Sequence, residues 1–296
     1  MAAPSVPTVT SLITEGLKRG GYPSPSSIEL ARATDWLEEI KNDIWLLGKR
    51  LKPLMAVHTE VLVPGQSRYN FPSGFSSIVD AKILYADDVR DVTGGGAATV
   101  TLDTTDETDG EDELEGKWIL IYSGTGKNGY SQIISYNEST YVATVSPAWT
   151  TQPIATDTYM IVDRFLPLDL RSVVHFDEIE APHQIGPPNT LYQVGHENHY
   201  GYYNLFPVPD EDHYYGILIN YYLNLMTLDL AGTRMSTLYQ RWRNLWIQGV
   251  RARQLEDDND SRASMEMARY YGMVKDIVNL ETYGRNIKPH YTGIKA

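Results

Sequence analysis

Cysteine is absent from the 296 residues, which excludes disulfides, thiolate metal sites and cysteine nucleophiles together. No apolar run approaches the roughly 18 residues of a membrane-spanning helix, so no membrane partner is expected. Basic residues are scarce. The 25 Lys and Arg face 38 Asp and Glu, a formal charge of −13, which argues against a surface built as a whole to grip nucleic acid or anionic lipid. The opening MAAPSVPTVT has neither the basic start nor the apolar stretch of a signal peptide, so synthesis in the cytoplasm is expected. Phenylalanine is nearly missing, at 5, whereas tyrosine reaches 21. Tyrosine combines a large flat apolar body with a polar tip, which suits half-buried strands and contact surfaces alike.

Periodicity changes twice along the chain. Val9, Leu12, Ile13 and Leu17 share one face of a short helix that Gly20 and Gly21 can end. Ser26 and Glu29 form a capping box behind Pro25. After it, Leu30, Ala33, Leu37, Ile40, Ile44 and Leu47 step by three and four, a packed seam with Trp36 and Trp45 beside it. From residue 56 the pattern is of strands, with Pro64-Gly65 as a hairpin turn. Residues 92–163 contain no helical pattern and carry 11 acidic residues against 2 basic. Strands are expected there at 98–102, 118–122, 130–136, 141–145 and 159–162, which suggests a small β-barrel or sandwich inserted into a host fold. Eight tyrosines fall between Tyr192 and Tyr222. Helical seams then return at Leu238, Trp242, Leu245, Gly249 and Ala252, and at Ala263, Met267, Tyr270, Val274 and Ile277.

The expected fold class is therefore α+β. A helical bundle drawn from both chain ends would enclose central strands and carry the inserted β-domain. The host would be the discontinuous pair 1–91 and 164–296, with 285–296 as an extended tail.

Signatures of catalysis fail one by one. Gly124, Gly126 and Gly129 have dinucleotide-loop spacing, and Lys127 follows a glycine as in a phosphate loop. However, Asn128 replaces the required Ser or Thr, and Tyr130 to Tyr136 alternates like a strand; a hairpin turn is expected. The acidic run Asp103 to Glu115 places Thr105 and Gly116 where a calcium loop needs its end ligands. His196 and His199, with His213, lack the i, i+4 spacing of a helical zinc site. No Gly-x-Ser-x-Gly elbow exists. No enzyme, catalytic residue, metal site or cofactor is expected. Arg234, Arg241, Arg243, Arg251, Arg253, Arg262, Arg269 and Lys275 gather in the C-terminal helices, either as solvated faces or as contacts to an acidic partner or passing nucleic acid.

Two patterns carry a resemblance. An N-terminal helix pair leads to a strand and the turn Phe71-Pro72-Ser73-Gly74-Phe75. Phe206-Pro207-Val208-Pro209 precedes a Tyr-rich strand from Tyr214 to Tyr222, and two amphipathic helices follow. This order resembles the head-to-tail adaptor proteins of tailed bacteriophages over about 1–91 and 164–283. Within the insert, Ser123-Gly124-Thr125-Gly126 and Ala143-Thr144-Val145-Ser146-Pro147-Ala148-Trp149 are similar to a small β-module that recurs in phage neck, tail and fibre proteins.

The resemblance implies a structural virion protein of the neck. It would form a homo-oligomeric ring of twelve copies beneath the portal protein, join head to tail, and extend the channel through which viral DNA passes without sequence-specific binding. The next tail or nozzle component would dock below. Arg285, Ile287, Lys288, Tyr291 and Ile294 are the portal-interface candidates that follow; Trp36, Trp45, Trp242, Trp246 and Tyr270 are the ring-interface candidates. The alternative from another class is a carbohydrate- or receptor-binding tail module, with the insert or the Tyr192–Tyr222 region as its aromatic platform.

Overall fold

The computed structural model describes residues 8–48, 50–104, 114–172, 184–194 and 201–283. The protein is mixed α+β, and its contacts divide the described residues into two units. One takes in those within 1–55, 74–76 and 222–296; the other takes in those within 56–73 and 77–221.

The first unit is helical. Helix α1, Val9–Gly20, starts where the Thr8 hydroxyl accepts the Ser11 N–H. It stops at Gly21, whose φ of 122° is open to a residue without Cβ. Helix α2, Ser27–Leu47, begins with the expected Ser26–Glu29 capping box. Its buried seam is Ala33, Leu37, Ile40 and Ile44; Leu30 is half-buried, and Leu47 points to solvent. Helices α3, Thr233–Arg241, and α4, Arg243–Asp257, form where the spacing predicts one helix. The break is at Trp242, held at φ −117° and ψ 34°. Its indole N–H reaches the buried Glu281 carboxylate at 3.3 Å. Helix α5, Ala263–Tyr283, completes the unit.

Packing here depends on small residues. A Cβ at Gly249 of α4 would lie 2.6 Å from Ile40 Cδ1 and 3.0 Å from the Tyr270 ring. Helices α2 and α5 thus approach α4 at one point. Gly16 plays the same part against Val250.

The strands, in three sheets, fall in the second unit except for the end residues of β1, β3 and β15. The first has the order β1 (Met55–Val61), β15 (Tyr214–Leu223), β3 (Phe75–Ala86), β11 (Arg164–Pro167). The second has the order β12 (Asp169–Ser172), β13 (Thr190–Val194), β14 (Tyr202–Phe206), β2 (Arg68–Asn70), with β12 parallel to β13.

The third sheet has seven strands: β4 (Arg90–Asp91), β10 (Thr158–Val162), β7 (Trp118–Ser123), β8 (Tyr130–Asn137), β9 (Val142–Ser146), β6 (Thr99–Thr101) and β5 (Gly94–Gly96), in that order. The five strands expected within 92–163 are all present. The expected small barrel is corrected to a sheet whose ends, β4 and β5, do not pair with each other among the described residues. Strand β7 explains its unbroken apolar run. Ile119 and Ile121 face a core with Val100, Leu102, Ile133 and Tyr159, while Leu120 faces Val61, Leu84, Met160 and Val162. Both faces of the strand are buried, so alternation disappears from the sequence.

Burial of tyrosine hydroxyls sets an alkaline limit on this fold. Burial pushes Tyr69 up to about 12. It also raises Tyr159 and Tyr239, and Tyr203 and Tyr270, where the neighbouring Glu60 and Asp43 add to the effect. A raised native value favours the neutral phenol. The stabilisation is whole below pH 10 and is lost as pH rises through the native values, by about 1.4 kcal/mol per pH unit for each group. Absorbance at 295 nm should show one class of tyrosines titrating near pH 10 and a second ionising only as circular dichroism is lost. Titration of every tyrosine near pH 10, with dichroism unchanged, would contradict this burial.

Candidate functional site

The glycine-rich turn between β7 and β8 looks like a phosphate cradle in sequence, and the structure shows what its N–H groups hold. The Asp157 carboxylate is fully buried. It accepts from Thr125 N–H at 2.7 Å, Gly126 N–H at 2.8 Å and Ile154 N–H at 3.2 Å. A Cβ at Gly124, where φ is +92°, would meet Asp157 Oδ1 at 2.0 Å. The chain's own carboxylate occupies the place of an anionic ligand, and the glycine is there to let it in. The hairpin expected from the sequence is what forms.

The other chemistry-bearing candidates divide by position. His196, His199 and most of the acidic run lie outside the described residues. Among the described residues no group of three or more His, Asp or Glu is arranged to hold a metal ion. His213 Nδ1 sits 3.3 Å from Asp210 Oδ1, and the same carboxylate takes the Tyr215 hydroxyl at 3.0 Å.

Most of the C-terminal arginines are engaged inside their own unit. Arg241 grips the buried Glu281 through two bonds of 2.6 and 2.9 Å, and the carboxylate raises the guanidinium's pKa. Arg251 pairs with the buried Glu266 at 2.8 Å, and Arg253 with Asp43 at 2.7 Å. Arg243 meets Glu15, Arg262 meets Asp260, and Arg234 reaches the Pro53 and Met55 carbonyls. Arg262 holds the Asp260 carboxyl down at about 2. Arg269 and Lys275 make no ion pair among the described residues, and both are exposed on α5.

The interface candidates are sorted by burial. Trp242, Trp246 and Tyr270 are corrected: all three lie in the interior of the first unit, Trp246 at 0 % exposure. Trp246 stands edge-on to Tyr239 at 5.1 Å, and the Tyr270 hydroxyl donates to Asp43 at 3.0 Å. Side chains that fill their own core cannot also face a neighbour. Trp36 and Trp45 are half-buried on α2 and remain available. Arg285, Ile287, Lys288, Tyr291 and Ile294 lie outside the described residues.

Sequence reasoning missed a different set. On α2, Ile28 is 67 % and Leu46 66 % exposed. Eighteen residues apart, they share one line, with the exposed Asp35 and Glu39 between them. On α5, Met265 is 62 % and Leu280 48 % exposed, with Arg269 and Asp276 on the same side. The α2 line runs opposite its buried seam, and the α5 line runs along the flank of its own. Their signal in the sequence is apolar residues off the seam at helical spacing.

No protein-family model matches the chain, and no curated protein matches it.

Proposed function

We propose that the chain is a structural, non-enzymatic protein of a virion neck. It forms a ring, twelve copies in the adaptors it resembles, beneath the portal and continues the DNA channel towards the tail. Helices from both chain ends form the bundle that makes the ring wall, and the tail at 285–296 reaches the portal. The observation that carries this reading is the pair of lines on α2 and α5 that no described residue covers. Each has large apolar side chains at its ends; Asp35 and Glu39 lie between them on α2, and Arg269 and Asp276 on α5. Two different apolar faces on one protomer suit a head-to-tail contact, and such contacts form rings where the rotation between neighbours closes. Trp36 and Trp45 flank the α2 line and supply the aromatic area that interfaces favour.

Leu46→Asp and Met265→Asp each test the contact at an exposed position, where surface substitutions change stability by about 0.5 kcal/mol or less. Each variant alone should fail to assemble on purified portal rings while unfolding like the parent protein. Mixed together they should give dimers and no rings, because each variant retains one intact face. Normal rings from either variant would refute the contact. Deleting 285–296 should abolish portal attachment; attachment unchanged by that truncation would remove the tail from the interface.

A further inference from the structure

Strand β1 is the outer strand of its sheet, with β15 on its inner side. Just beyond β1, Leu62 N–H turns inward to the Tyr215 carbonyl at 2.9 Å. Val61 N–H turns outward and is taken by Asn128 Oδ1, also at 2.9 Å. Main-chain groups alternate between the two edges of an antiparallel strand, so those of Thr59 and Val57 face outward as well. Asn128 seals only one end of this row. Among the described residues no strand pairs with the outward N–H and C=O groups of Val57 and Thr59.

A cleft of about 490 Å³ lies along this same edge, a volume typical of ligand sites. Its apolar wall includes Trp118 and Tyr130, stacked at 4.6 Å with 8° between ring planes, and Trp149. Lys127 stands at the rim, exposed and without an ion pair among the described residues. The wall that carries Lys127 is the turn that Asp157 fixes, so the cleft is preformed on that side.

We propose that this cleft docks an extended peptide segment of a protein partner. The segment adds as a strand to β1 at Val57–Thr59 and sets one large apolar side chain beside Trp118, Tyr130 and Trp149. An acidic residue next to that anchor faces Lys127. The hydrogen-bonding inventory favours a peptide over a saccharide. The Thr59 hydroxyl is already given to the Asn128 carbonyl at 2.7 Å, and the Ser131 hydroxyl to the Pro147 carbonyl at 2.8 Å. The cleft also holds the hydroxyls of Tyr130, Thr150 and Thr151, but its row of open groups at strand spacing is main chain, and the complement of an open strand edge is another backbone. The site uses residues of the second unit alone, so it stands or falls independently of the ring.

The probe is a set of fluorescein-labelled nine-residue peptides of alternating Val and Thr, with Trp, Phe or Leu at the centre flanked by Asp. Fluorescence anisotropy with the full chain should show saturable binding by at least one of them. Proline at alternate positions of that peptide removes the N–H groups that would reach β1 and should weaken binding at least about tenfold. Val57→Pro should do the same from the protein side; its N–H serves no strand, so circular dichroism should be unchanged. Lys127→Glu should weaken the Asp peptide and restore binding to a peptide carrying Lys in place of Asp. No binding up to millimolar peptide would overturn the proposal. So would equal binding of the proline-substituted peptide, an outcome readable even if Val57→Pro fails to fold. Selective binding of a glycan panel that protects the Thr59 amide from exchange would replace the peptide with a saccharide.

Discussion

Trp246→Ala lowers the unfolding free energy of the helical unit by about 3–5 kcal/mol, the range for truncating a fully buried aromatic. The indole has no exposed surface, stands edge-on to Tyr239, and its N–H donates to the Leu238 carbonyl at 3.3 Å. Removal opens a cavity between α3 and α4 and leaves that carbonyl without the indole donor. Trp36→Ala, at a half-buried position on α2, should lose much less. Urea unfolding of the two variants side by side checks this. Equal losses would contradict the interior placement of Trp246 and return it to the surface.

Asp157→Ala has an effect of similar size, about 3–5 kcal/mol, because removing one partner of a buried charged hydrogen-bond set leaves the others unmet. Three backbone N–H groups, of Thr125, Gly126 and Ile154, lose their acceptor together. Asp157→Asn retains the shape but turns an amide donor towards N–H groups on one side, so it should fall between Ala and the parent protein. Amide exchange at Thr125, Gly126 and Ile154 is the direct readout and should accelerate in both variants. An Asp157→Ala protein as stable as the parent would mean that water or another group serves those donors equally well.

Legibility in the sequence followed how locally each feature is determined. The cap of α2 needs only Ser26 and Glu29, and its seam needs only a period of three and four; both are written in adjacent residues. Of the seven strands of the third sheet, five follow from turn residues together with alternation or, at β7, an unbroken apolar run. Strand β5 was not legible, because Gly94–Gly96 has no side chains to alternate and is a strand only through pairing with Thr99–Thr101. The open order of the seven strands, and the parallel pairing of β12 with β13, depend on contacts that no local pattern encodes. The break at Trp242 is equally non-local: the seam continues through it, while the acceptor for its indole is Glu281, thirty-nine residues away.

The candidate site shows the same division. Trp242 and Tyr270 sit on helical seams, and seam membership predicts burial, so their interior placement could have been read from spacing alone. The role of Asp157 could not, because nothing near it in sequence announces that the turn at 124–126 will close over it.

The proposed neck ring is tested most directly by quantitative mass spectrometry of purified tailed-phage particles whose genome encodes this polypeptide, with its copy number taken against the portal. The account predicts one copy for each portal subunit. Hundreds of copies would make it a shell or tail-tube protein, and absence from the particle would contradict a structural role in the virion altogether.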